Sequence, residues 1–381
     1  MITVKICINK QKLQNFARVN IYFQETFILA VQTGCYKNNE RRMSKMPLIE
    51  VNNLVKDYKL NVRKKGLLGS IQSLLIPEYK IKRAVDNISF TIDKGEMVGF
   101  IGPNGAGKST TVKMLTGILV PTSGQISIGG LSPHKDRRKN AMRLGVVFGQ
   151  RTQLWWDLPA IDTFELLRYI YKIPEKTYKQ NMNLFNDLLG INEFMSQPVR
   201  QLSLGQRMRA DIAAALLHDP EIIFFDEPTI GLDVIAKEKV REFIRYINRN
   251  KETTMLFTTH DMQDIEKTCR RMIIIDEGTT IYDGTVEHIK ESYGTSRTLV
   301  VDFPEVIDGI DIPGVEVVEE KGRKKWLRFL KDEVQISNLI YELTQKYGII
   351  DLTVQEPEIE GIIREIYQGG IKFDESLCRV C

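Results

Sequence analysis

Three clusters of residues have the types and spacing for phosphate chemistry. Gly102-Pro103-Asn104-Gly105-Ala106-Gly107-Lys108-Ser109-Thr110 fits G-x-x-x-x-G-K-[ST], the pattern of a phosphate-binding loop. Its glycines let the backbone curl until its N–H groups face a phosphate, and a following helix N-terminus adds partial positive charge. Lys108 can reach the β- and γ-phosphates, and Ser109 can ligate Mg²⁺. Downstream, the apolar run 222–225 leads straight into Asp226-Glu227-Pro228-Thr229. An aspartate ending a buried strand can hold Mg²⁺ through water opposite Ser109. The adjacent Glu227 is then placed to accept a proton from an attacking water. Between these lies Leu202-Ser203-Leu204-Gly205-Gln206-Arg207, just before an alanine-rich helix. Ser203, Gly205 and that helix N-terminus make a second anion-binding end. The first two clusters have plainer readings, a glycine turn with a chance lysine and a strand-end acid pair, and a lone S-x-G-Q would be a weak signal. All three in one chain, in this order, point to a nucleoside triphosphate.

These residues need rigid elements to hold them. The hydrophobic run Met97–Ile101 reads as a strand leading into the glycine loop, and Val112, Leu115, Ile118 and Leu119 share one face of the helix after it. Residues 48–51, 88–92, 125–128 and 146–148 read as further strands, with a turn at Asp93-Lys94-Gly95. The continuous apolar run at 222–225 has the signature of a central parallel strand, and 255–257 and 272–275 are two more. Residues 162–219 read as mainly helical, interrupted at Pro174 and Pro198. Strands alternating with helices predict an α/β core. Beyond Gly294 the pattern changes to strands at 298–303, 314–318, 326–329 and 349–354, with helices at 334–346 and 359–367. That stretch reads as a small α+β domain without chemical motifs, suited to regulation or dimer contact.

Taken together, these motifs resemble the nucleotide-binding subunit of ATP-binding cassette (ABC) transporters, over residues 48 to 294. The resemblance implies an α/β fold with a P-loop NTPase core, a helical subdomain over 151–219, and an ATPase using ATP and Mg²⁺. It implies that two such domains pair head to tail, each ATP lying between one subunit's phosphate loop and the other's Ser203, Gly205 and Gln206. Gln150, ending the strand at 146–148, resembles the glutamine that senses Mg²⁺ and water and links to the membrane subunit. His260 resembles the histidine that contacts the γ-phosphate, Asp233 the cross-interface loop aspartate, and Tyr58 the aromatic that stacks on adenine. Leu204 departs from the common signature, in which glycine is usual, and bears on how the dimer closes.

Arg151-Thr152-Gln153-Leu154-Trp155-Trp156-Asp157-Leu158-Pro159 follows Gln150 and holds two of the chain's 3 tryptophans. Tryptophan is favoured at interface hot spots, and family position makes this the docking surface for a membrane partner. The competing reading is that both rings fill the helical subdomain's core. This stretch and the extra C-terminal domain resemble bacterial export-type systems with separately encoded transmembrane permease subunits. The second cassette is either another copy or a paralogue, and the expected location is peripheral, on the cytoplasmic face of the membrane. Import is the alternative within the class. Outside it stands a soluble cassette ATPase acting on ribosomes or DNA, against which the single cassette and ordinary helical insert argue.

The chain has 381 residues, 43% hydrophobic and 27% charged, which suits about two globular domains. No apolar run approaches the roughly 18 residues of a membrane helix. Net charge is +4, but residues 1–83 hold 16 Lys/Arg against 5 Asp/Glu, leaving the remainder at −7. A nucleic-acid protein more often carries its basic surface on the folded body, so no nucleic-acid partner is expected. Within the basic 59–83 insert, Leu67, Leu68, Ile71, Leu74 and Leu75 form a short amphipathic stripe flanked by Arg63, Lys64, Lys65, Lys80, Lys82 and Arg83. That stripe can lie on an anionic membrane face or pack on its own domain. Five scattered cysteines, Cys7, Cys35, Cys269, Cys378 and Cys381, fit a reducing compartment better than a disulfide framework or a metal site. Residues 1–45 show no clean period. Glu40-Arg41-Arg42 can be encoded by a purine run like a ribosome-binding sequence, so an expected start is Met46, where ordered sequence begins. The domains are then the extension 1–45, the cassette 46–294 and the accessory domain 295–381.

Overall fold

The computed structural model describes residues 47–61, 79–149, 151–259, 261–294, 296–356 and 359–367. All fall in the second of the chain's two units, Pro47–Cys381; the extension 1–45 and Met46 lie outside the described residues.

β1 (Ile49–Asn61) and β2 (Tyr79–Ile92) form an antiparallel ribbon running out to the pair Asn61–Tyr79. Both strands are longer than the expected 48–51 and 88–92. Lys80, Lys82 and Arg83 therefore belong to β2. The amphipathic stripe at 67–75 lies outside the described residues. A turn at Lys94 and Gly95 leads to β3 (Met97–Ile101), the glycine loop and α1 (Lys108–Leu115). This helix ends earlier than its apolar pattern predicts. Gly117 turns the chain at φ +77, with no room for a Cβ beside the Pro133 carbonyl, so Ile118 and Leu119 fall outside the helix and Ile118 is exposed. β4 (Ser123–Ile128) then pairs antiparallel with the other side of β1.

After α2 (Arg137–Ala141) and β5 (Leu144–Phe148), the helical stretch divides where proline requires. α3 (Ala160–Ile170) stops before Pro174, which caps α4 (Glu175–Leu189), and Pro198 precedes a single 3₁₀ turn leading to α5 (Leu204–Leu216). Then follow β6 (Ile222–Asp226), α6 (Val234–Lys251), β7 (Thr254–Thr258), α7 (Met262–Thr268), β8 (Arg271–Asp276), β9 (Thr279–Thr285) and α8 (Val286–Tyr293).

The strands sort into two cassette sheets. One is antiparallel, in the order β2-β1-β4; the other runs β5-β6-β7-β3-β8-β9 and is parallel except for β9 at its edge. Continuous apolar runs mark the parallel strands, because both faces are covered. Val98, Phe100 and Phe224 face α1 and the antiparallel sheet, while Ile101, Phe225 and Phe257 face the helices α3 to α8. Parallel strands place the loops after β3, β5, β6 and β7 at one carboxyl edge, where α/β sheets bind ligands.

The C-terminal part adds β10 (Ser296–Asp302), β11 (Val315–Lys321), β12 (Lys324–Leu330), α9 (Ile336–Tyr347) and β13 (Asp351–Gln355). Its antiparallel sheet, in the order β11-β12-β10-β13, has its own core of Leu299, Val301, Phe303, Leu327, Phe329, Leu339 and Leu343. α10 (Ile359–Tyr367) does not join that core. Its buried Ile359, Ile362, Ile363 and Ile366, spaced along one helical face, pack with the cassette instead, against α7 and α8. No helix among the described residues is long and apolar enough to cross a membrane.

Candidate nucleotide site

Gly107 is the hinge of the phosphate loop. It caps α1 at φ +105, and a Cβ there would lie 2.5 Å from the Ala84 carbonyl of the antiparallel sheet. Only glycine fits a left-handed position pressed so closely on a neighbouring strand. The turn brings Lys108 back over its own loop, where its ammonium donates to the Gly102 carbonyl at 2.6 Å and the Pro103 carbonyl at 3.1 Å. Lys108 is 6% exposed. Burial pulls its pKa down, and the carboxylates of Glu227 and Asp226 pull it back up. A buried cation facing two acids is a strong point charge for a phosphate.

Asp226 ends β6 in register with Phe148 on one side and Thr258 on the other. Its Oδ1 accepts from the Thr258 hydroxyl at 2.7 Å and the Ser109 hydroxyl at 3.3 Å. Thr258 aims this carboxylate, a role that one threonine at the end of an apolar run did not announce. Glu227 follows in the left-handed region at φ 56, with its N–H donating to the Thr258 carbonyl at 2.9 Å. It faces a cleft of about 670 Å³ lined by Asn104, Ser109, Gly149, Arg151 and Asp226 among others. A second cleft of about 320 Å³ shares Asn104, Ser109 and Glu227 with the first. It adds Tyr58, Lys82, Gly105, Gly107, Lys108 and Thr110.

Tyr58, distant in sequence, therefore stands beside the phosphate loop, with the Lys56 ammonium 5.5 Å from its ring centroid. The β1–β2 ribbon carries it there, so the insert beyond Asn61 does not separate it from Gly102. Gln150 and His260 lie outside the described residues. Next to His260, Thr259 is buried in a network that sequence reasoning missed. Arg241 donates through Nε to Asp264 Oδ1 at 2.6 Å, while Asp264 Oδ2 accepts from the hydroxyls of Thr229 and Thr259. Thr229 sits two residues after Glu227 and Thr259 one before His260, so this buried pair ties both loops to α6 and α7. A charged group enclosed among apolar residues is retained when fully bonded.

Ser203, Gly205, Gln206 and Asp233 line neither cleft. Ser203 and Gln206 close a capping box on α5, with Ser203 N–H to Gln206 Oε1 at 2.9 Å and Gln206 N–H to Ser203 Oγ at 3.2 Å. Asp233 caps α6 by accepting from the Ala236 N–H at 2.8 Å. These two helix starts adjoin each other. Gly205 faces Ala236, and the Leu204 side chain fills the space a Cβ on Gly231 would need, 2.7 Å away. Leu204, where glycine is usual, is thus accommodated by a glycine in the facing loop.

Residues 85–230 match the family model described as ABC transporter. The chain is 35% identical to the ABC transporter ATP-binding protein NatA of Bacillus subtilis, over 61% of this chain and 94% of that protein. It is 31% identical to the linearmycin resistance ATP-binding protein LnrL of the same organism, over 74% of this chain and 93% of that one. A solved dimeric ATP-binding cassette, in a post-hydrolysis state bound to ADP and Pi, superposes with a TM-score of 0.52 at 26% identity. That match covers 62% of this chain and 98% of the solved one. The chain belongs to the ABC transporter family and is an ATP-binding subunit of it. Within that family it is an ATPase whose hydrolysis of ATP drives transport.

Proposed function

We propose that this chain works at the cytoplasmic face of a membrane as the ATPase of an exporter, paired with a second cassette and with separate transmembrane permease subunits. The observation that carries the reading is the convergence of Lys108, Ser109, Asp226 and Glu227 on adjoining clefts at one sheet edge. ATP would lie with its adenine against Tyr58 and its phosphates on the 102–110 loop and Lys108. Tyr58→Ala is expected to raise the KM for ATP roughly tenfold with kcat little changed, as loss of one aromatic stack predicts; steady-state ATPase kinetics check this.

The donor set near Asp226 fits Mg²⁺, a hard cation that takes one or two carboxylates together with substrate phosphates and water. Ser109 Oγ and Asp226 are the oxygens that would hold it, with Gln150 expected beside them. When bound it neutralises charge on the β- and γ-phosphates. Glu227 orients a water in line with the γ-phosphorus and takes its proton as the new P–O bond forms and the bond to the ADP oxygen breaks. Lys108 and His260 offset the charge that develops on the leaving phosphates.

Pairing is supported by the first turn of α6, where Val234 and Ile235 are 81% and 73% exposed beside Asp233. Apolar side chains so bare, beside the aspartate that the resemblance assigns to the interface, favour an occupant. In the facing arrangement, Ser203, Gly205 and Gln206 of one cassette complete the clefts of the other.

Docking is supported by the loop behind Gly149. Leu154 is buried in the helical part, but Trp155 and Trp156 are 48% and 49% exposed, so neither ring fills the core. Trp155→Ala combined with Trp156→Ala is expected to abolish co-purification with a multi-span membrane protein while the cassette's own ATPase persists. Unfolding and loss of basal ATPase would refute the docking role.

A further inference from the structure

From Arg151 to Pro159 the chain forms no helix or extended strand; the Val199 and Arg200 N–H groups hold the Leu158 and Trp156 carbonyls at its far end, each at 3.0 Å, and side-chain contacts hold its near end. Asp211, on α5, supplies the most buried of them. Its Oδ1 accepts from the Thr152 hydroxyl at 2.9 Å and from the Gln153 N–H at 3.0 Å. The Gln153 side-chain amide donates back to the Asp211 carbonyl at 2.9 Å, and the Thr152 oxygen also accepts from the Leu154 N–H at 3.1 Å. One turn earlier on the same helix, the Arg207 guanidinium lies 5.5 Å from the centre of the Trp156 ring. By contrast, the exposed Arg200–Asp157 pair at 3.4 Å contributes little.

Asp211 is only 5% exposed, flanked along α5 by the buried Ala210 and Ile212. An acid there is costly unless its oxygens are bonded. Burial raises its pKa to about 6, against the opposing pull of the Gln153 N–H, the Thr152 hydroxyl and Arg207. Ser203 caps the same helix eight residues earlier, about 12 Å along a rigid rod. We propose that Asp211 is a positioning residue that makes the Trp155-Trp156 loop and α5 move as one body, so that contact at the loop sets where Ser203 and Gly205 stand for the facing cassette.

The proposal rests on the docking and paired-cassette reading above, and its test is separate from it. In the full chain carrying Trp326→Phe, only Trp155 and Trp156 of the 3 tryptophans remain to report. With Glu227→Gln added to hold ATP, binding is expected to shift their emission. Asp211→Ala should remove that shift while leaving ATP affinity unchanged, because Asp211 lines neither cleft. Asp211→Asn, which keeps the accepting Oδ1, should restore it. If Asp211→Ala does not fold, Thr152→Val, which deletes the hydroxyl that donates to Asp211 and accepts from the Leu154 N–H, should weaken the shift. A full shift in Asp211→Ala or in Thr152→Val, no shift in the parent, or an Asn variant as silent as Ala would each overturn the link. Failed co-purification with a membrane protein would instead strike the docking reading and leave the emission result standing.

Discussion

Glu227→Gln is expected to bind ATP with near-native affinity and turn it over about 10²–10⁴-fold more slowly, the usual worth of a positioned general base. Glutamine keeps the size and shape of the side chain but cannot accept the proton. Residue 227 also holds a left-handed backbone at φ 56, stabilised by its N–H bond to the Thr258 carbonyl at 2.9 Å. Glutamine preserves both, and Lys108, Ser109 and Asp226 still grip the phosphates. Single-turnover phosphate release should fall, and gel filtration with ATP should accumulate a species of twice the mass. Undiminished turnover would remove Glu227 as the base.

Gly149→Ala is expected to lower kcat about 10²-fold, the scale of a misplacement of roughly 1 Å in a catalytic group. A Cβ at this position would lie 2.0 Å from the Glu227 carbonyl oxygen and 3.1 Å from the Ile230 side chain. The obstacle is backbone, so no rotamer change relieves it. Gly149 also donates its N–H to the Asp226 carbonyl at 2.7 Å, which stitches the end of β5 to the residue before the base. One of these contacts must give, and either way Glu227 shifts relative to Ser109 and Lys108. Nucleotide affinity should survive, since Tyr58 and Lys108 line the second cleft, which Gly149 does not. Fluorescent-nucleotide binding alongside kcat separates the two effects; parallel losses of both would show a general collapse instead.

The apolar runs at 97–101, 222–225, 255–257 and 272–275 became the central strands because a parallel strand buried on both faces needs no polar alternation. The start of the antiparallel sheet was less legible. β1 and β2 are half-buried ribbons whose outer ends carry Lys59, Lys80 and Lys82, so their hydrophobic signal fades before the pairing does. The apolar residues after α1 misled for the opposite reason: they continue a helical period past Gly117, which the backbone cannot follow. α10 shows a further limit. Its apolar spacing reads as helix, but nothing local says that this face covers the cassette and not the adjoining sheet.

By itself the sequence determined the chemistry. Gly102 to Thr110, Asp226, Glu227 and the Ser203 stretch are recognisable because phosphate binding and proton transfer need particular groups at short, fixed spacings along the chain. Tertiary structure alone decided which of them meet. Tyr58, Lys108, Asp226 and Thr258 converge because parallel strands end at one edge and a long ribbon reaches back over it, a matter of register between segments far apart. The same packing leaves Ser203 and Asp233 away from those clefts, and gives Gly149, Asp264 and Asp211 their positioning contacts. Such roles depend on contacts closed through space, and single residue types carry no mark of them.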